Sequence, residues 1–212
     1  MGYKPYLMLV SDLLAGKRLV SSGMKEEVPR AQAAIAEALA GAAVAVVSTG
    51  DAGIYGMAGL VLELLPDGSG VGVEVVPGIT AAIAAAACLG APLMNDFALI
   101  SLSDLMTPLP VIERRVRAAV EGDFVIALYN PRSHRRHEPL ARTLALLRAA
   151  RAATTPVGLV RNALREGQEV RLTTLAGLQE EEVDMLSILI VGNSTTVAKD
   201  GRMVTPRGYL DR

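Results

Sequence analysis

Apolar runs alternate with helix-forming stretches along the chain. Residues 31–39 are rich in Ala and other good helix formers and stop at Gly41. Residues 42–48 are continuously apolar, the pattern of a strand covered on both faces. A helix is expected over 57–65, ended by Pro66-Asp67-Gly68, then a strand over 70–76. A helix over 79–89, punctuated by Gly90 and Pro92, leads to a strand over 97–102. Pro108 and Pro110 interrupt regular structure, and the pattern restarts. Helices are expected over 111–121 and 139–151, with strands over 123–129, 157–161, 170–174 and 185–192. The last strands follow one another without a helix, which predicts a partly antiparallel second sheet. This alternation predicts an α/β fold of two α/β domains, 1–108 and 109–212, with a cleft between them and a mixed second sheet.

Composition narrows the function. The 212 residues are 51% hydrophobic and 20% charged, enough apolar matter for an ordinary core. Lys+Arg number 21 and Asp+Glu 22, and aromatic residues make up 3%, which argues against phosphate-neutralising or base-stacking nucleic-acid binding. The single Cys excludes an internal disulfide framework, and no His/Cys/Asp/Glu cluster has metal-ligand spacing. The opening Met-Gly-Tyr-Lys-Pro-Tyr lacks the form of a signal peptide, and the apolar stretch 79–94 is too short to span a bilayer. A cytoplasmic protein with no membrane partner is expected. Charge is uneven: residues 1–108 sum to -5 and residues 109–212 to +4, and no Lys or Arg lies between Arg30 and Arg114. Arg grips carboxylates bidentately, so some of these residues could line a site for a polyacidic ligand, although a solvated helix face is the better reading for most of them.

The usual phosphate cradles are missing, with neither a dinucleotide fingerprint nor a P-loop. The junctions after strands carry the remaining signal, since α/β proteins bind ligands beyond strand carboxyl ends. The segment 48–56, Ser-Thr-Gly-Asp-Ala-Gly-Ile-Tyr-Gly, has three glycines that let a ligand approach backbone. Asp51 there either receives a hydroxyl or ammonium or caps the next helix, and the cap is the simpler reading. Residues 76–82, Val-Pro-Gly-Ile-Thr-Ala-Ala, offer free N–H groups at a helix start, or an N-cap by Thr80. Residues 128–136, Leu-Tyr-Asn-Pro-Arg-Ser-His-Arg-Arg, form either a carboxylate-binding loop or an exposed one. Arg161-Asn162-Ala163 and Leu172-Thr173-Thr174-Leu175 complete the set.

In this order the loops resemble those of the tetrapyrrole methylases, enzymes that use S-adenosylmethionine. The resemblance spans STGDAGIYGMAG (48–59), VVPGITAA (75–82), LSDLMTP (102–108), DFVIALYNPRSHRR (123–136), TPVGLVRNALRE (155–166), Asp184-Met185, GNST (192–195) and TPRGY (205–209). GDAGIYG and PGIT are shared across the superfamily, whereas YNPRSHRR with TPRGY resembles the precorrin-3B C(17)-methyltransferase branch of cobalamin biosynthesis. Family members begin with a strand and a Gly-x-Gly-Pro-Gly loop, and this sequence opens at Gly2-Tyr3-Lys4. The expectation is a truncated amino terminus with an unpaired sheet edge.

The resemblance implies C17 methylation of a tetrapyrrole with ring contraction, yielding S-adenosylhomocysteine. It implies cofactor contacts from Thr49, Gly50, Asp51, Ile54, Tyr55, Thr80 and Ala81, and from Asn130, Asn162, Ala163 and Thr174 in the second half. Acetate and propionate arms of the substrate would be held by Arg132, Arg135 and Arg136, with Arg30 and Lys25 next. Ring contraction calls for proton transfers, for which Tyr3, Lys4, Glu27 and His134 are the weak candidates. A homodimer is expected on family grounds alone. The alternatives are another tetrapyrrole methylase, such as a precorrin-4 C(11) type, and a truncated, non-catalytic protein that binds a tetrapyrrole or S-adenosylhomocysteine.

Overall fold

The structure is a computed structural model and describes residues 1–209. The chain folds into two compact units, Met1–Thr80 and Ala81–Arg212.

The first unit contains β1 (Gly2–Tyr3), α1 (Lys4–Met8), β2 (Ser21–Ser22), α2 (Glu27–Leu39) and α3 (Ala58–Leu64). β1 and β2 pair in parallel, and α2 packs on α3. Helix α2 starts four residues before the expected 31, because Pro29 sits in a first turn that needs no N–H of its own. The expected strands over 42–48 and 70–76 are not formed. Val47 makes a lone parallel bridge to Gly2, and residues 70–76 form no ladder. A strand requires a ladder as well as apolar composition, and no neighbouring backbone in this unit supplies one.

The second unit is a five-stranded mixed sheet between helices. In chain order it holds α4 (Ala81–Leu89), β3 (Gly90–Ala91), β4 (Phe97–Ser101), α5 (Leu109–Glu121), β5 (Val125–Tyr129), α6 (Glu138–Ala150), β6 (Pro156–Arg161), β7 (Glu169–Thr174), β8 (Ser187–Val191), β9 (Val197–Lys199) and β10 (Arg202–Val204). The sheet order is β4-β5-β8-β6-β7; β4 runs parallel to β5, while β8 is antiparallel to both β5 and β6. A small sheet of β3, β10 and β9 stands apart from it. Side chains of β5 alternate as period two requires. Ile126 and Leu128 join Ile112, Val116, Leu140, Leu144 and Leu147 of α5 and α6 on one face. Val125, Ala127 and Tyr129 join Ala82, Ala85 and Leu89 of α4 on the other. Burial on both faces explains why VIALY and SILIV, the sequences of β5 and β8, are apolar almost throughout.

Residues 81–108 were expected with the first domain on the strength of the Pro108–Pro110 break. Their contacts lie with the second unit instead, since α4 covers β5, β6 and β8, and β4 pairs with β5 along its whole length.

Candidate functional site

Asp51 organises the loops of the first unit. Its Oδ1 accepts the Gly53 N–H at 2.8 Å, and its Oδ2 accepts the Gly78 N–H at 2.8 Å. It is not a helix cap, since α3 begins only at Ala58. One carboxylate thus links loop 49–56 to the Pro77-Gly78 turn, 27 positions along the chain. Close approach of the two backbones makes Gly78 obligatory: a Cβ there would stand 2.0 Å from the Gly50 carbonyl oxygen. Donation from Gly78 and then Gly53 holds the Asp51 carboxyl below its ordinary 3.8, against a smaller opposing effect of burial. Thr80 is buried, whereas Ile54 and Tyr55 are exposed, and Tyr55 takes a positive φ of 54°. Thr49 and Gly50 lie beside Asp51 in this loop, Gly50 with φ 72°.

In the second unit the strand ends converge on one edge. β4 ends at Ser101, β5 at Tyr129 and β6 at Arg161, and these strands point the same way. Asn130 and Asn162, the next residues after β5 and β6, both adopt left-handed backbone, with φ 49° and 48°. Asn is among the few residues that tolerate this conformation, and it turns each chain sharply off the sheet. The Asn130 carboxamide donates to Ser101 Oγ at 3.0 Å, and Asn162 Nδ2 faces the Gly167 carbonyl at 3.4 Å. Ala81 and Ala163 pack against the same apolar cluster as Tyr129. The Tyr129 hydroxyl accepts the Ala82 N–H at 2.8 Å, which seats the start of α4 on the end of β5. Ala81, Asn130, Asn162 and Ala163 therefore gather at one edge.

Thr174 does not join them. It pairs with Pro156, at the opposite end of β6 from Asn162, and its hydroxyl accepts the Gly177 N–H in a local turn. The antiparallel direction of β7 carries its last residue away from that edge.

The basic candidates divide. Arg30 is buried and donates to Ser22 Oγ at 2.6 Å and to the Gly23 carbonyl at 2.8 Å, so it braces the first unit and is not open to a substrate. Arg136 is likewise turned inward: its Nη1 donates to the Leu102 carbonyl at 2.6 Å, its Nη2 to the Asn130 carbonyl at 3.0 Å, and Asp104 lies 3.6 Å from Nε. Arg132 is half-buried and donates to His137 Nδ1 at 2.6 Å and to the Glu180 carbonyl at 2.7 Å. Arg135 and Lys25 are exposed and carry no hydrogen bond or ion pair among the described residues.

Of the proton-transfer candidates, Tyr3 and Lys4 line a depression of about 530 Å³ in the first unit together with Glu26. Glu27, the first residue of α2, is exposed, as is His134. The structure gives positioning roles to three residues that the sequence motifs contain but to which no role was assigned. Arg161 Nε donates to Asp184 Oδ2 at 2.8 Å directly before Asn162. Burial would raise the Asp184 carboxyl, but the Ser187 hydroxyl, Arg161 and the Leu186 N–H together hold it below its ordinary value. Tyr129 was legible as the one side chain of β5 with a polar atom, Asp184 as an acid before an apolar run, and Arg161 only by its place at a strand end. No group of three or more metal-binding side chains forms, and no helix is long and apolar enough to cross a membrane, among the described residues.

Comparison with known proteins bears on this arrangement. A probable cobalt-factor III C(17)-methyltransferase of Salmonella typhimurium is 56% identical over 209 residues, 98% of this chain and 87% of that protein. A precorrin-3B C(17)-methyltransferase of a Sinorhizobium species is 41% identical over 217 residues, 98% of this chain and 85% of that protein. The crystal structure of the methyltransferase CobJ matches with TM-score 0.92 and 36% identity, covering 97% of this chain and 87% of that one. The family profile described as Tetrapyrrole (Corrin/Porphyrin) Methylases matches residues 2–179. That span takes in the Asp51 link and the edge carrying Asn130 and Asn162, and the chain belongs to the tetrapyrrole methylase family.

Proposed function

We propose that the protein transfers a methyl group from S-adenosylmethionine to C17 of a precorrin-3B or cobalt-factor III type tetrapyrrole, with contraction of the ring, in cobalamin biosynthesis. The observation that carries this reading is the 56% identity over 98% of the chain to a protein named for that activity. The loops fit the donor chemically. Segments 49–56 and 76–82 contain one charged side chain, the ionised Asp51, and no cation to repel a sulfonium. When bound, the donor supplies an electrophilic methyl.

The chain's own residues orient and exclude. Asp51 fixes two glycine-containing loops against each other, so their backbone groups meet a ligand already in place. Asn130 and Asn162 present carboxamides at the second unit's edge, where Arg136 and Arg161 hold their surroundings. Arg135 and Lys25 supply exposed positive charge for carboxylate arms, with the half-buried Arg132 after them. Tyr3 and Lys4 are the proton-transfer candidates that share a depression. A cytoplasmic homodimer belongs to the same proposal.

A second reading, binding without turnover, draws on segments 42–48 and 70–76 of the first unit, which do not form the strands expected of them. Calorimetry with S-adenosylhomocysteine, followed by turnover with cobalt-factor III, precorrin-3B and a precorrin-4 type substrate, separates the possibilities. Product carrying one added methyl and a contracted ring from the first two substrates is expected. Binding of S-adenosylhomocysteine without product supports the second reading, and absence of binding overturns both.

A further inference from the structure

The edge of the second unit that carries Asn130 and Asn162 holds five arginines, and they are not equivalent. Three are engaged: Arg132 on His137 and the Glu180 carbonyl, Arg136 on the Leu102 and Asn130 carbonyls, and Arg161 on Asp184 and Glu169. Arg135 and Arg165 are exposed, and their guanidinium groups make no hydrogen bond or ion pair among the described residues. Arg165 is nonetheless fixed at its backbone. In the hairpin 162–168 between β6 and β7, its N–H donates to the Asn162 carbonyl at 2.9 Å and its carbonyl accepts the Gln168 N–H at 3.1 Å. Gln168 Oε1 accepts the Leu164 N–H at 2.7 Å and the Cys88 thiol of α4 at 3.3 Å, which ties the hairpin to that helix. Leu164 is held at φ 58°, a conformation unfavourable to a branched side chain, and it is exposed, so burial does not offset the strain. A strained, braced turn around a free charge displays that charge. Arg135 is displayed likewise, in the turn that Ser133 and Arg136 close with backbone hydrogen bonds of 3.0 and 3.2 Å.

The sheet sets the spacing of the two. β8 lies between β5 and β6, and Leu128 and Leu159 both pair with Leu189, so β5 and β6 end at nearly the same level, roughly 10 Å apart at two strand spacings. That separation suits two acid arms of one broad ligand better than one carboxylate held from both sides. Acids nearby compete little: Asp104 faces Arg136, and Asp184 and Glu169 face Arg161, which leaves Glu166 as the exposed acid of the hairpin. We propose that Arg165 grips one carboxylate arm of the tetrapyrrole while Arg135 grips another, an assignment that rests on the methyl-transfer reading above.

The test is binding of cobalt-factor III to the full chain, read by absorbance titration in the presence of S-adenosylhomocysteine. Arg165→Ala is expected to weaken this binding about tenfold, the loss of one charge-assisted pair, while its affinity for S-adenosylhomocysteine by calorimetry stays within about twofold. Arg165→Lys, which keeps the charge but not the fork, should recover part of the loss. Combined with Arg135→Ala, the loss should be the product of the two single effects, because separate arms act independently. Cobalt-factor III with its carboxylates esterified should bind the unaltered chain and Arg165→Ala equally weakly, which a merely structural role for Arg165 would not produce. If Arg165→Ala does not fold, Arg165→Gln carries the same expectations. The proposal is overturned if the variant binds the acid normally, if it loses S-adenosylhomocysteine to the same degree, if the double variant is no weaker than either single one, or if the ester still separates the variant from the unaltered chain. An unaltered chain that binds the acid but forms no methylated product overturns the reading of the reaction and leaves this one standing; one that binds no tetrapyrrole overturns both.

Discussion

At the residue scale, a single carboxylate spans two loops, and its ionisation is coupled to their geometry. Because the folded Asp51 carboxyl is held below 3.8, its stabilising effect is fully present above that ordinary value and is lost as pH falls through the lower folded one. Asp51→Asn removes the charge at all pH. We expect it to weaken S-adenosylhomocysteine binding at neutral pH and to flatten the acid limb of that affinity below about pH 4, read by calorimetry across a pH series. Arginine offers a second contrast. Arg136→Ala leaves the Leu102 and Asn130 carbonyls without their donor, a cost of about 1–3 kcal/mol. It should lower the melting temperature and loosen cofactor binding together. Arg135→Ala should leave both unchanged and raise KM for the tetrapyrrole several-fold, since its guanidinium has no internal partner. Equal behaviour of the two variants in melting and kinetics would contradict this division.

At the element scale, the start of α4 is seated on β5 by a polar contact set among alanines, the Ala82 N–H to the Tyr129 hydroxyl. Tyr129→Phe removes the acceptor of the Ala82 N–H and is expected to cost about 1 kcal/mol, measured by urea unfolding, with faster exchange of the first-turn amides of α4. The helices and the five strands of the second unit's main sheet were legible from period and punctuation, because buried strands such as 125–129 and 187–191 are apolar without interruption, whereas the short strands β3, β9 and β10 were not expected. Boundaries moved by a few residues where Pro110 and Pro139 enter first turns. The strands over 42–48 and 70–76 were not recoverable in this way: their apolar pattern is right, but pairing is a property of neighbours, and the sequence of one segment does not contain its neighbour. The same reasoning applies to Thr174, whose residue type suited the site while the direction of β7 placed it elsewhere.

At the scale of the whole molecule, the two units are built differently. Both large buried clusters lie within residues 98–203 or helix α4, and the second unit's five-stranded sheet is continuous. A fragment of residues 81–212 is therefore expected to fold alone, with a cooperative thermal transition and dispersed amide resonances, whereas residues 1–80 alone should show neither. A non-cooperative 81–212 fragment would contradict that expectation. Candidate chemistry was legible in part. Motif order placed the loops, and Asn130, Asn162 and Asp51 proved to be structurally distinctive positions. Which arginines face solvent was invisible, because Arg136 finds a carbonyl partner, Leu102, 34 positions away.

The overlap that any side chain at position 78 would suffer ties the inheritance of two distant stretches together. Gly41, Gly59 and Gly68 have open space around the missing methyl, so their tolerance depends on backbone angles alone. Position 78 has no such latitude unless the turn at 50 and 51 shifts first. Lineages of this chain should thus revise these two stretches in concert, and a saturation library at 78 should return glycine while a paired library at 50, 51 and 78 has room for other solutions.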